Sequence, residues 1–85
     1  MPEATSPWRV NDVVAYDRMR AAAATLVGQL HAAARSNGRE AVAARDEAAR
    51  LYREVSAVDA YDRAAVTELA ERISARIRSL DSEER

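Results

Sequence analysis

Eighty-five residues make one small domain, 48% hydrophobic and 32% charged, with a net charge of −1. All 13 basic residues are arginine, interspersed among 14 acids, so there is no electrostatic case for a nucleic-acid or anionic-membrane partner. The absence of cysteine excludes disulfide and thiol chemistry, and a single histidine, His31, excludes an ordinary zinc or haem site.

Twenty of the apolar residues are alanine, and phenylalanine is absent. Alanine favours helix above all other residues but buries little area, so helices can approach closely without much driving force. The alanine and arginine bias points to a GC-rich bacterial genome. "MPEATSPW" has no basic segment followed by an apolar core, so no signal peptide is read. Ala21 to Gly28 is the longest run without strongly polar residues and is far too short to span a bilayer. The expected location is the bacterial cytoplasm.

Both prolines lie in the first seven residues and there are only two glycines, a pattern of few, long helices. Helix 1 is expected over about residues 11–36. Asn11 is placed to cap it, and Asp12 suits the positive end of the helix dipole. An earlier start, with Ser6 as cap and Pro7 at the first helical position, is the alternative. Tyr16, Met19, Ala23, Leu26, Leu30 and Ala33 recur at spacings of 3 and 4, a heptad seam widened by Val13 and Val27. Gly38 in "RSNG" is expected to close the helix in a left-handed conformation.

Helix 2 is expected over about 39–57, with a seam of Ala41, Ala44, Ala48, Leu51, Val55 and Val58 flanked by Tyr52. Asp46, Arg50 and Glu54 form an i, i+4, i+8 ladder that should face solvent. Helix 3 is expected over about 62–80, capped by Asp62, with Tyr61 stapling onto Val66. Its seam of Val66, Leu69, Ile73, Ile77 and Leu80 is the most apolar of the three. "DSEER", 81–85, reads as a charged, frayed tail, and residues 1–10 as a flexible arm. The fold expected is an all-α, up-down-up antiparallel three-helix bundle over 11–80. Its rival is a two-helix hairpin that dimerises into a four-helix bundle, with helix 3 docked elsewhere.

No phosphate loop, nucleophile elbow or metal-ligand spacing is present, so neither catalysis nor a cofactor is expected. His31 reads as a boundary residue with a wet edge. Asp59 and Asp62 read as turn and cap residues rather than a catalytic pair. Arg72, Arg76 and Arg78 suit the negative end of helix 3, with Glu68 a partner for Arg72. The bulky groups concentrate instead in "SPWRVNDVVAYD". Helix 1, at roughly 39 Å against roughly 28 Å for helices 2 and 3, should overhang by about two turns. That tip would carry Val13, Val14 and Tyr16, with Trp8 and Val10 just ahead. Aromatic anchors are enriched in binding hot spots. A staple folded back over the bundle's end is the equal alternative for Trp8 and Val10.

Two stretches, "VVAYDRMRAAAATL" and "VDAYDRAAVTELAERISARIRSL", make the chain resemble the small epsilon-type antitoxins paired with zeta-type toxins in actinobacteria. The toxins are P-loop kinases. The resemblance implies that the N-terminal helix lies against the kinase and obstructs its nucleotide site. It carries partner contact onto Asp12 to Arg20. With Trp8 from the tip, the candidate partner-binding residues are Trp8, Asp12, Val13, Tyr16, Asp17 and Arg20. Self-association into a structural bundle is the alternative function. A homodimer and a heterotetramer both remain open.

Overall fold

In a computed structural model the backbone is described over residues 7–35 and 38–83, and the side chains over 11–35 and 38–83. Three helices, α1 (Pro7–Ala33), α2 (Arg39–Ala57) and α3 (Arg63–Glu83), account for the described fold, and these residues contain no strand. The all-α three-helix arrangement is as expected. The three apolar seams are where the spacing places them, except that Val13, expected to widen the α1 seam, is 42% exposed. Met19, Ala23, Leu26 and Leu30 of α1 meet Ala44, Ala48 and Leu51 of α2 and Val66, Leu69 and Ile73 of α3. Tyr16, Val27, Val55, Val58, Ile77 and Leu80 are half-buried around this centre.

Direction follows from the pairings. Asp12 meets Arg63 at 3.2 Å and Gln29 meets Asp81 at 3.0 Å, so α1 and α3 run parallel. Glu47 meets Arg76 at 2.8 Å and Glu54 meets Arg72 at 2.7 Å, so α2 is antiparallel to α3. This is the up-down-up order. Its packing is uneven: α1 packs against both neighbours, whereas direct packing between α2 and α3 is slight. Leu51 is the single large side chain in the buried row of α2; the rest of that row is Ala41, Ala44 and Ala48. Alanine brings the α1 and α2 backbones close but supplies little buried area.

The ends of the helices differ from the expected ones for local reasons. α1 begins at Pro7, whose missing N–H costs nothing in the first turn, so Asn11 lies inside the helix and is not its cap. Residues 7–10 of the expected arm are therefore helical; residues 1–6 lie outside the described residues. α1 ends at Ala33, short of 36, through Ala34 N–H to Leu30 O (2.9 Å) and a tighter Arg35 N–H to Ala32 O (3.2 Å). Gly38 does take a positive φ of 93°, but with ψ −155° it opens α2 rather than closing α1.

The α2–α3 turn follows the expected capping. Val58 is extended at the end of α2, and its N–H donates to Glu54 O at 3.1 Å. The Asp59 carboxylate accepts from the Tyr61 N–H at 2.9 Å, and the Asp59 carbonyl accepts from Asp62 N–H at 3.0 Å, forming an Asx-supported turn. Asp62 then caps α3, its carboxylate accepting from Ala65 N–H at 3.1 Å. At the other end α3 does not fray after Leu80. It continues through Asp81 and Glu83, because Asp81 accepts from Gln29 Nε2 at 3.0 Å and Glu83 lies 3.8 Å from Arg76. Glu84 and Arg85 of the expected tail lie outside the described residues.

The two glycines should respond oppositely to alanine. A side chain at Gly38 would meet no atom within 4 Å, yet its backbone lies where L-residues are strained. Gly38→Ala is expected to cost about 1–3 kcal/mol. Gly28 sits inside α1 with equally open space, so Gly28→Ala should stabilise by roughly 0.5–1 kcal/mol. Urea unfolding of the two variants beside the parent checks both signs.

Candidate partner-binding groove

The close, alanine-lined approach of α1 to α2 leaves a groove along their outer side. Its upper part is walled by Tyr16, Arg20, Ala23, Ala24 and Val27 of α1 and by Leu51, Tyr52, Val55 and Ser56 of α2, enclosing about 470 Å³. Its lower part, about 540 Å³, lies between Val27 and His31 of α1 and Arg45, Ala48, Ala49, Tyr52 and Arg53 of α2. Val27 and Tyr52 border both parts, so the two adjoin and together span Tyr16 to His31 along α1. At 1.5 Å per residue that distance is about 22 Å, the length of a helix of about 15 residues. The floor is alanine, valine and leucine. Tyr52 stands at its middle with 72% of its surface exposed.

The other two grooves are different in character. Between α2 and α3, over Leu26, Leu51, Leu69 and Ile73, the gap is crossed by ion pairs. Arg76 binds Glu47 with two nitrogens, at 2.8 and 3.0 Å, and Arg72 binds Glu54 at 2.7 Å. The hydrogen bonds to Glu47 and Glu54 hold Arg76 and Arg72 further into their charged range, against a smaller opposing effect of burial. A raised arginine contributes its full pairing below the ordinary arginine range and loses it only in strongly alkaline solution, so these bridges persist at physiological pH. The α1–α3 groove is walled by Arg18, Arg63, Thr67, Glu71, Ser74 and Arg78 around a small apolar strip, and holds about 310 Å³.

The six sequence-predicted contact residues divide. Tyr16 and Arg20 line the groove; the Tyr16 ring is half-buried against the core, and the Arg20 guanidinium lies 5.9 Å from its centre, within cation–π reach. Val13 and Val14 are each 42% exposed, and Asp17 is exposed beside them. Asp12 is tied within the bundle to Arg63, its side chain 18% exposed. That bond brings the start of α3 beside Asp12, so α3 accompanies Val13, Val14 and Tyr16, whereas α2 reaches only as far as Tyr16, beside Val55 and Ser56, and the expected overhang holds past α2 alone. The Trp8 and Val10 side chains lie outside the described residues. His31 is exposed, as a boundary residue should be, and borders the lower groove.

Tyr52, Arg45 and Arg53 escaped sequence reasoning because each looks like an ordinary surface residue. Spacing held a signal. Positions three and four away from Arg45 are Ala41, Val42, Ala48 and Ala49, and those around Arg53 are Ala49, Arg50, Ser56 and Ala57. Neither arginine has an acid within reach along its own helix. The Asp46–Arg50–Glu54 ladder faces solvent as expected, but Glu54 reaches across to Arg72.

The fold is that of a small all-α bundle whose accessible site is an apolar groove with cationic rims. No described helix is long and apolar enough to cross a membrane, and no cluster of three His, Cys, Asp or Glu side chains that could hold a metal occurs among the described residues. Comparison with known families, with curated proteins and with solved structures finds no match to this chain.

Adjacent residues of α2 separate groove from core. Leu51→Ala is expected to cost about 2–5 kcal/mol, whereas Tyr52→Ala should change stability by about 0.5 kcal/mol or less. Chemical unfolding midpoints measure both; a large loss for Tyr52→Ala would make its ring part of the core.

Proposed function

We propose that the chain is a non-catalytic binding protein of antitoxin type, which neutralises a partner enzyme by laying the N-terminal half of α1 against it. The observation that carries this reading is the surface of that half. Val13 and Val14 are both 42% exposed in the N-terminal half of the molecule's longest helix, beside exposed Asp17 and Arg20. Apolar side chains held out of a core on a rigid helix are suited to anchoring a partner, and flanking charges fix register. The partner implied by the epsilon-type resemblance is a zeta-type kinase, and the mode is occlusion of its nucleotide site. Its substrate, by the same resemblance, is a nucleotide-sugar of the UDP-N-acetylhexosamine type.

The direct test titrates the protein into such a kinase from the same genome, with phosphorylation of UDP-N-acetylglucosamine as readout. Activity should vanish near equimolar protein. Val13→Glu combined with Val14→Glu should weaken inhibition by about tenfold or more, the loss of about 1.4 kcal/mol or more of contact. Its melting temperature should remain near that of the parent, because neither valine is in the core. These exposed valines are better probes than Tyr16, whose removal also disturbs packing. Full kinase activity in excess protein sinks the reading.

A second reading, self-association, is favoured by a stripe of small residues that adjoins the groove at Ala24. Ala21, Ala24, Gly28 and Ala32 are exposed along α1, and nothing lies within 4 Å of a side chain built on Gly28. Small residues on that stripe leave room for the backbone of a second helix to approach. Sedimentation at micromolar concentration decides: a monomer supports the first reading, and a dimer abolished by Gly28→Leu supports this one.

A further inference from the structure

We propose that the α1–α2 groove is a docking site for an amphipathic α-helix of a partner protein, with an apolar seam and acidic flanks. The inference rests on the reading of this chain as a partner-binding protein and names the chemistry of what it takes. Three observations carry it.

The first is shape. Two adjoining pockets that together span Tyr16 to His31, with Ala23, Val27, Ala48 and Leu51 among their lining, match about four turns of helix. Small floor residues let an incoming helix sit close to both backbones. Tyr52, 72% exposed, gives it a rigid aromatic contact at low entropic cost.

The second is charge. The titratable groups on the rims, apart from the two tyrosines, are Arg20, His31, Arg45 and Arg53, and no carboxylate lines either part of the groove. Elsewhere in the molecule, Arg63, Arg72 and Arg76 are each bound to a carboxylate. Among the described residues Arg20, Arg45 and Arg53 make no ion pair, as is also true of Arg18, Arg35, Arg39, Arg50 and Arg78; what sets the groove apart is that its lining holds cations and no carboxylate, with Arg20 over the Tyr16 ring. Cations on both rims of an apolar trough are complementary to acids flanking an apolar seam.

The third is what the charge disfavours. A two-fold dimer made groove to groove would set Arg45 and Arg53 among the same cations of the second copy, with no acid to answer them. The site therefore fits a different chain. A helix seated there would also lie beside Val13 and Asp17, making one surface of the groove and the outer face of α1's N-terminal half.

The test uses the full chain and two synthetic amphipathic peptides of about 18 residues, long enough to fill the groove when helical. They share one leucine and alanine seam, flanked by glutamate in one and lysine in the other. Fluorescence anisotropy should show the glutamate peptide binding about tenfold or more tightly than the lysine peptide, with affinity falling as salt screens the arginines. Tyr52→Ala, and Arg45→Glu with Arg53→Glu, should each weaken it by about tenfold or more while leaving the melting temperature nearly unchanged. Equal affinity for the two peptides, or binding of neither, overturns the proposal. So does a dimer of the chain that Tyr52→Ala dissolves, since the groove's occupant is then a second copy. The kinase titration is scored separately. Inhibition without peptide binding removes the groove and keeps the antitoxin reading; peptide binding without inhibition keeps the groove and removes the kinase.

Discussion

Everything in this bundle hangs on the buried seam of α1. Met19, Ala23, Leu26 and Leu30 are the common wall against which α2 and α3 pack, and those two helices touch each other little. The reason lies in side-chain size. α3 offers Val66, Leu69 and Ile73, large enough to fill the space beside α1, whereas α2 offers mostly alanine. Alanine lets α2 come close to α1 but leaves its far side unfilled. The gap toward α3 is then crossed by long side chains, Arg76 to Glu47 and Arg72 to Glu54, in place of an apolar layer. Such partly exposed pairs contribute little individually, so they direct the position of α2 more than they stabilise it.

The same economy creates the groove. Alanines at the α1–α2 contact make the interface shallow, and a shallow interface leaves a trough along its outer side. Large groups that would close the trough are absent, and those that border it, Tyr16 and Tyr52, stand as walls. The components of this surface are exposed apolar area, aromatic contact and unpaired arginines, which are the elements of recognition between proteins. The two functional proposals share this surface. One concerns what α1 covers on a partner, the other what the groove receives.

Helix positions, the three seams and the Asp62 cap were legible in the residues. Period and capping are local properties, set by backbone geometry within one or two turns. The errors were at ends. Pro7 won over Asn11 as the start of α1, since both suit a first turn and nothing local ranks them. Asp81 extended α3 because Gln29 lies across the interface, a contact between residues far apart in sequence. Gly38 was correctly marked as needing positive φ, yet whether it ends one helix or begins the next depends on ψ, which composition does not reveal.

The candidate site was harder to read for a related reason. Tyr16 and Arg20 were singled out, but their value came from neighbours on α2 that spacing alone cannot supply. Tyr52 borders the α2 seam by one residue, and only the packed pair of helices shows that it flanks a trough and not a core. The sequence by itself determined the three helices, their inward faces and the absence of carboxylates within reach of Arg45 and Arg53 along α2, all of which follow from helical period. The tertiary structure alone decided which helix is central, which charges pair between helices and where a groove stays open. Those depend on how side chains of different size meet across interfaces, and no single helix contains that information.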